Sequence, residues 1–432
     1  TPGVVSAGAS AMRVLQVVHQ FLPRYNGGTE WYVAGLATGL RDRGHEVEIL
    51  AGGDGLGRGF WEGIPLTTVP GGLRGPSSSV AGFLATFRNR ATEGVFLGTL
   101  QRFQPEVVHF HHLQGLSGRL PELAQDRAAT CFTLHDYWFR CPTSQLLDYR
   151  DRPCAGPAMG VNCTQCAAHR IGGGLWHLPL LAAAPMFAWR ERAVPRAIAL
   201  CDRLIAPSQF LADLAVRAGL RAANLRVMDF GMAELPLSRQ QWRPRPSGGK
   251  LRVGYIGSIH PSKGVDTLVD ATARVAPDLI EVRIAGDLDA YPEYSRRLWA
   301  AAATQPVRFL GSLDRGGVAG LLADCDVLCV PSRWYENSPL VVTEAFSMGV
   351  PVFASNIGAL AEKVRDGADG LLHPPGDSAA LARLLEQAAT EPGLLPRLRD
   401  GIRPVLTRAG HHAAMEAVYS ELCSRTAVGA TP

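Results

Sequence analysis

The segment Pro331-Ser-Arg-Trp-Tyr-Glu-Asn-Ser-Pro-Leu-Val-Val-Thr-Glu344 sets two carboxylates eight positions apart around a helix start. Ser338 is placed to cap that helix, Pro339 suits its first turn, and Gly349 suits its stop. Glu336 then lies on the loop before the helix and Glu344 more than a turn inside it. Carboxylates only accept hydrogen bonds, so this pair can hold hydroxyls at two ends of a polyol. The helix N-terminus between them is a seat for phosphate. Taken alone, the pair favours the blander reading of one glutamate near a cap and one solvated glutamate.

A second stretch bears on the same chemistry. Gly257-Ser258-Ile-His-Pro-Ser-Lys263-Gly264 is a glycine-bearing loop after a strand, with an ammonium just before the next helix. Backbone amides and a lysine in that arrangement suit a diphosphate. The chain has 40 arginines and three lysines, the bias of a GC-rich bacterial genome, so a lysine here is compositionally unexpected. Ile284-Ala-Gly286-Asp and Phe309-Leu310-Gly311 end two further strands where main chain can meet a nucleotide.

The elements that must carry these loops form two α/β halves. The first opens with a strand at 13–19, a loop, a helical pattern at 31–43 ended by Gly44, and a strand at 45–50, which makes a βαβ unit. More strands are expected at 107–111, 130–134, 203–208 and 225–228. Residues 233–249, rich in Pro, Arg and Gly, read as a linker. The second half restarts at 251–256, with strands near 281–285, 307–310, 326–330 and 350–354. The expected architecture is α/β: two Rossmann-like, doubly wound domains facing each other across a cleft, at 12–232 and 250–405. In open parallel sheets ligands bind beyond the carboxyl ends of the strands.

Composition narrows the class. The 432 residues carry a net charge of only +4, too mild to argue for nucleic acid. The basic excess lies before residue 250, which suits a surface in peripheral contact with an anionic membrane face or acceptor, and suits better a scatter of solvated arginines. The apolar run at 174–189 is short, carries two prolines and a histidine, and reads as a buried or interfacial helix. The first eleven residues lack the pattern of a signal peptide, and a natural start at Met12 is expected. Nine cysteines without an export signal point to a reducing, cytoplasmic setting.

With these residues in view, the chain resembles family 4 retaining glycosyltransferases of the two-domain GT-B fold, in a subgroup carrying LHDYWF and a cysteine-containing loop. The second half matches through VGYIGSIHPSKGVDTLVDA, VRIAGD, VRFLG, DVLCVPSRWYENSPLVVTEAFSMGVPVFASNIGAL and DGADGLL. The first half matches through NGGTEWYVAGLATGLRDRGHEVEIL, VVHFHHLQG, FTLHDYWF and CDRLIAPSQFLADL. The resemblance implies a nucleotide-diphosphate sugar donor and an acceptor hydroxyl on a glycan, glycolipid or small molecule. It places Glu336 on donor-sugar hydroxyls, Glu344 on the nucleotide ribose, Lys263 on the diphosphate, and His135 at the sugar. Gly28 would let backbone approach donor phosphate or acceptor. Gly257, Ser258, Gly286, Leu310, Arg333, Asn337, Ser338, Pro339 and Leu340 complete the implied donor contacts. His109, His111, His112 and Asp136 fall on the acceptor side. A triple-histidine metal site is not expected, because alternation sends His109 and His111 to one face and His112 to the other. Residues 406–425 are expected as a helix returning to the first domain.

One departure stands out: the arginine that often follows the first glycine of the donor loop is Ser258 here, with Arg333 as its candidate replacement. The implied reaction is a front-face substitution in which the leaving phosphate helps deprotonate the acceptor. Lysine and helix dipole supply the charge stabilisation, so no divalent cofactor is expected for catalysis. A nucleotide-sugar epimerase and a non-catalytic sugar-nucleotide-binding protein share the fold and are the rival readings.

Four cysteines remain: Cys141, Cys154, Cys163 and Cys166, spaced C-x12-C-x8-C-x2-C within an insertion near 141–170. They suit a closed structural Zn2+ site, with His169 as a substitute ligand. An iron–sulfur cluster and free thiols are the alternatives. A thioredoxin-like role is not expected, on the ground that the C-x-x-C does not open a helix after a strand.

Overall fold

The computed structural model describes residues 11–71, 80–171, 180–232 and 248–429, with part of 233–247. Its strands form two sheets. The first holds β1 (Arg13–Val18), β2 (Glu46–Gly53), β3 (Gly57–Trp61), β4 (Ile64–Pro70), β5 (Val107–Phe110), β6 (Ala129–Thr133), β7 (Arg203–Ala206) and β8 (Leu225–Val227). Their spatial order is β3-β4-β2-β1-β5-β6-β7-β8. Every pairing is parallel except β3 with β4.

The second sheet holds β9 (Leu251–Ile256), β10 (Ile280–Ala285), β11 (Val307–Gly311), β12 (Val327–Val330), β13 (Val352–Ser355) and β14 (Gly370–His373). It is parallel throughout, in the order β11-β10-β9-β12-β13-β14. Parallel strands need both faces covered, which explains runs such as Leu-Ile-Ala in β7 and Val-Leu-Cys-Val in β12, all buried. The expected architecture of two doubly wound α/β domains is the observed one.

In each sheet the chain reverses its winding direction once, between β1 and β5 and between β9 and β12. A crevice opens at such a switch point, beyond the carboxyl ends of the strands. The loops leaving β9 and β12 carry Lys263 and Glu336. Those leaving β1, β5 and β6 carry Gly28, His111 with His112, and His135 with Asp136.

Some elements differ from expectation. The first helix starts at Gly28, three residues earlier than its apolar pattern, because its first turn is Gly-Thr-Glu, whose Glu30 is buried without being apolar. The β3–β4 hairpin has no clear alternation, and β3 is mostly exposed. Residues 174–179 of the apolar run and the first ten residues lie outside the described residues. Residues 180–189 begin the helix Leu180–Ile198. The final helix, Arg408–Gly429, packs Met415, Val418, Tyr419 and Leu422 into the first domain's core beside Leu36, Leu40 and Val107. Among the described residues no helix is long and apolar enough to cross a membrane.

Candidate active site

The donor loop leaves β9 at Gly257, takes one short 3-10 turn at Pro261–Lys263, and passes Gly264 at φ 68°. A Cβ on Gly264 would lie 2.0 Å from the Pro331 carbonyl oxygen, so only glycine lets the β9 and β12 loops come this close. That approach brings Lys263 Nζ to 2.7 Å from Glu336 Oε1, across 73 residues of sequence. Ser332 Oγ donates to the same oxygen at 2.7 Å. Burial pushes the Glu336 carboxyl up, but the Lys263 charge and these hydrogen bonds outweigh it and hold the group below its usual range. The nearby ammonium also lies 5.1 Å from the Trp334 ring. An ammonium has three donors, so Glu336 leaves capacity for phosphate oxygens.

Glu344 sits inside the helix Leu340–Ser347, where burial raises its carboxyl and Arg315 pulls it back. The helix begins one residue later than expected: Pro339 is its N-cap and Ser338 does not cap it. The Ser338 hydroxyl instead donates to Asp229 Oδ1 at 2.7 Å, a partner 109 residues away. Asn337 donates to the His135 carbonyl oxygen at 2.9 Å, and its own Oδ1 is buried without a partner among the described residues. Arg333, the candidate replacement for the missing arginine, is already engaged. Its guanidinium meets Thr267 Oγ1 at 2.9 and 3.1 Å and Asp266 Oδ2 at 2.9 Å. Ser258 is exposed in the loop after β9 and accepts from Tyr255 at its carbonyl. Gly286 lies so near Gly257 that a Cβ would meet its carbonyl oxygen at 2.1 Å, while Leu310 is 40% exposed at the end of β11. A Cβ on Gly28 would meet open space.

Across the cleft, the histidines arrange differently from expectation. His109 has no exposed surface and does not line the acceptor side. Its two ring nitrogens are met by Tyr419 at 2.6 Å and Thr133 at 2.7 Å beneath the final helix. His111 is equally buried and supports His135: its Nδ1 lies 3.0 Å from His135 Nε2, and its Nε2 lies 2.6 Å from Gln16 Oε1. With that amide oxygen accepting, His111 Nε2 carries the proton and Nδ1 accepts from His135 Nε2–H. His135 Nδ1 is then the lone-pair nitrogen. His112 is also buried, 3.0 Å from Asp136 Oδ2, and packs against His19 with ring centroids 4.0 Å apart and the rings tilted by 33°. Asp136 alone of the four acceptor-side residues retains appreciable side-chain exposure, 28%.

Burial favours the neutral form of His19, His109, His111, His135 and His411. It drives His135 down to about 3 and His411 down to about 4, and pushes His19, His109 and His111 well below the usual value. In the unfolded chain each would take up a proton near pH 6.5, so between there and the depressed folded values the unfolded state binds more protons. Stability must therefore be full above about pH 6.5 and fall as the pH drops. Thermal melts from pH 7.5 to 5 should show this loss, up to about 2 kcal/mol at pH 5 for each such histidine. A flat profile over that range would contradict the neutral cluster.

Residues that sequence reasoning missed tie the halves together. Tyr137 donates to the Tyr335 carbonyl oxygen at 3.0 Å. Lys363 reaches Asp229 Oδ2 at 3.1 Å and Thr343 Oγ1 at 2.9 Å; burial lowers its pKa and Asp229 raises it. The Glu362 carboxylate caps the helix Gln209–Arg217 through the Gln209 and Phe210 amides. Lys363 had a signal: it is one of the chain's three lysines.

The cysteine loop also departs from expectation. Cys163 and Cys166 do open a helix, Val161–Ile171, although no strand leads directly into it. With Cys141 and Cys154 they line one small cavity of about 30 Å3. His169 is exposed, with its ring beside Tyr149, and does not line it. Burial pushes the Cys163 thiol up to about 12, and the neighbouring Cys141, Cys166 and Cys154 add to the rise while Arg190 opposes it.

This geometry coincides with clear relationships to known proteins. Residues 26–231 match the family model described as Glycosyltransferase Family 4, and residues 250–391 match that of Glycosyl transferases group 1. A phosphatidyl-myo-inositol mannosyltransferase of Mycobacterium leprae is 39% identical over 143 residues, 32% of this chain and 37% of that protein. Sucrose-phosphate synthase from Thermosynechococcus elongatus superposes with a TM-score of 0.66 at 18% identity, covering 96% of this chain and all of the other. The catalytic domain of starch synthase IV from Arabidopsis thaliana, bound to ADP and acarbose, gives 0.61 at 16% identity, covering 96% and 100%. The chain belongs to glycosyltransferase family 4: it is a glycosyltransferase of the GT-B fold.

Proposed function

We propose that this protein transfers a sugar from a nucleoside-diphosphate donor to an acceptor hydroxyl with retention of anomeric configuration and without a divalent ion. The observation that carries the reading is the Lys263–Glu336 pair at the β9/β12 switch point. It sets an ammonium and an acceptor-only carboxylate together where a diphosphate sugar would lie. The starch synthase structure, bound to ADP and acarbose, supports a nucleotide-bearing ligand for this protein. The epimerase and non-catalytic readings are not favoured, since the similar proteins above are a transferase and two synthases.

In this mechanism Glu336 accepts from sugar hydroxyls and Glu344 from ribose. Lys263 stabilises the diphosphate as the anomeric C–O bond breaks. The acceptor oxygen bonds to the anomeric carbon on the face the diphosphate leaves, and its proton passes to the leaving phosphate. His135, neutral, offers a lone pair at Nδ1 and no ionic charge. The acceptor belongs to the first domain's side, near Asp136.

The test is a panel of nucleotide sugars screened for thermal stabilisation, followed by NMR of the product anomer. A donor that binds the native state must raise its stability. Expected is stabilisation by at least one nucleoside-diphosphate sugar and a retained anomer, unchanged in EDTA. An inverted product, or transfer abolished by EDTA and restored by Mg2+, would refute this mechanism.

A further inference from the structure

The loop between the active-site histidine and the helix Val161–Ile171 carries unusual backbone. Among the described residues, seven non-glycine residues have positive φ, and four of them fall here: Ser144, Leu146, Asp151 and Met159. Such conformations are disfavoured for side chains with a Cβ and persist only where surrounding structure fixes them. Part of the support is visible. Tyr137, Trp138, Phe139 and Leu146 pack into the first domain's core. Beyond Leu147 the loop is held by Asp148, which accepts from the Arg150 and Arg152 amides, and by Asn162, which bonds Gly156 and Ala158.

Within this segment four sulfurs from three separate pieces of chain meet at one cavity. Cys141 ends the turn that follows Tyr137, and its amide donates to the Tyr137 carbonyl oxygen at 2.7 Å. Cys154 follows the bridge between Leu147 and Pro153. Cys163 and Cys166 stand one turn apart in the first two turns of their helix, on one face. The helix N-terminus favours negative charge near Cys163. Cys154 Sγ also accepts from the Gly156 amide at 3.4 Å and from Asn162 Nδ2 at 3.7 Å. The same sulfur donates its S–H to the Gly156 carbonyl oxygen at 3.6 Å, a bond that a metal-bound thiolate would give up.

The charge balance points the same way. Arg190 is 2% exposed, donates to the Trp138 carbonyl oxygen, and lies within electrostatic reach of Cys141 and Cys163. A buried guanidinium needs negative charge nearby, and Asp136 also lies within its electrostatic reach. Four thiolates around Zn2+ carry a net charge of −2 by formal count and would add to it. As placed, no three His, Cys, Asp or Glu among the described residues stand close enough to hold a metal. The site therefore requires the thiols to turn inward onto the cavity they already line.

We propose that Cys141, Cys154, Cys163 and Cys166 bind one structural Zn2+ that fixes the loop carrying His135, Asp136 and Tyr137 in place. The ligand set is closed, with no position for water, so the metal takes no part in bond making. Binding releases the thiol protons to solvent and involves no oxidation or reduction. The functional link is short: Cys141 lies four residues after Tyr137, whose hydroxyl reaches the Tyr335 carbonyl oxygen of the opposite domain.

Metal analysis of the purified full-length chain tests this directly, without substrate, so its outcome is independent of the transfer reaction. Expected is about one zinc per chain, released in equal amount when a mercurial reagent blocks the thiols. Cys163→Ser with Cys166→Ser should lower the zinc at least about tenfold, whereas Cys423→Ser, on the final helix, should keep it. Should the double variant fail to fold, alkylation of the native protein decides alone: the four thiols should react at least about tenfold more slowly than after zinc removal. Metal-free folded protein with all four thiols reactive would overturn the proposal. So would a Cys163–Cys166 disulfide seen by mass spectrometry, or stoichiometric iron with visible absorption.

Discussion

Lys263→Ala should lower kcat/KM for transfer by about 10²–10³-fold, the usual cost of removing one pre-placed donor from a developing oxyanion. The loss should fall mainly on kcat, because the leaving diphosphate gains charge as the glycosidic bond breaks. Stability should change as well, with a diagnostic pH dependence. In the wild type, Glu336 is held below its usual pKa, so the pair contributes stability above about pH 4.5 that fades as the pH falls through the folded value. Without Lys263, burial is the dominant influence on Glu336 and its folded pKa rises. The sign then reverses, and the variant loses stability as the pH climbs. Removing one partner of a buried pair typically costs about 3–5 kcal/mol, less to the extent that the survivor becomes protonated. Melting curves at pH 5 and pH 8 should show the variant closest to wild type at the acidic end. Glu336→Gln added to Lys263→Ala should recover much of the stability and none of the rate. A single variant with normal kcat, or one whose deficit is independent of pH, would remove Lys263 from the role given to it.

The parts of this site that sequence disclosed are those fixed by short-range rules. Strands β1, β9 and β12 are apolar runs followed by glycine- or proline-bearing loops, so the positions of Lys263 and Glu336 beyond carboxyl ends followed from pattern and length. The parts it withheld depend on contacts between distant residues. Ser338 has the type and place of a cap, yet Asp229, from the end of the first domain, takes its hydroxyl instead. His109 and His111 share a face as alternation requires. What each ring meets depends on distant chain: Tyr419 of the final helix lands on His109, and His135 takes His111. Strand β3 (GRGFW) is mostly exposed and lacks a repeating apolar position, so periodicity had nothing to detect. Arg333 shows the limit of inference from proximity in sequence. Three residues from Glu336, it turns to Asp266 and Thr267.

That dependence on the final helix gives the second large effect. Tyr419 is fully buried, and its hydroxyl meets His109 at 2.6 Å, in the same core as Val14, Leu36 and Ile49. Tyr419→Ala should destabilise the first domain by about 3–5 kcal/mol, combining lost burial with the cavity left behind. Tyr419→Phe keeps the ring and strands one histidine nitrogen, for which about 1–3 kcal/mol is expected. The two domains have separate cores, so unfolding need not be a single transition. The second domain should keep its own denaturant midpoint in both variants while the first domain's midpoint falls, further for Ala than for Phe. The helix also brings His411 Nε2 to within 2.7 Å of the Tyr32 hydroxyl, and the Tyr32 ring packs against His135 at 4.8 Å. Loosening it should therefore disturb the histidine before the domain unfolds. For Tyr419→Phe this means a lowered kcat at temperatures where circular dichroism is still native. Equal losses in both domains would mean that the final helix braces the whole molecule, not the first domain's core.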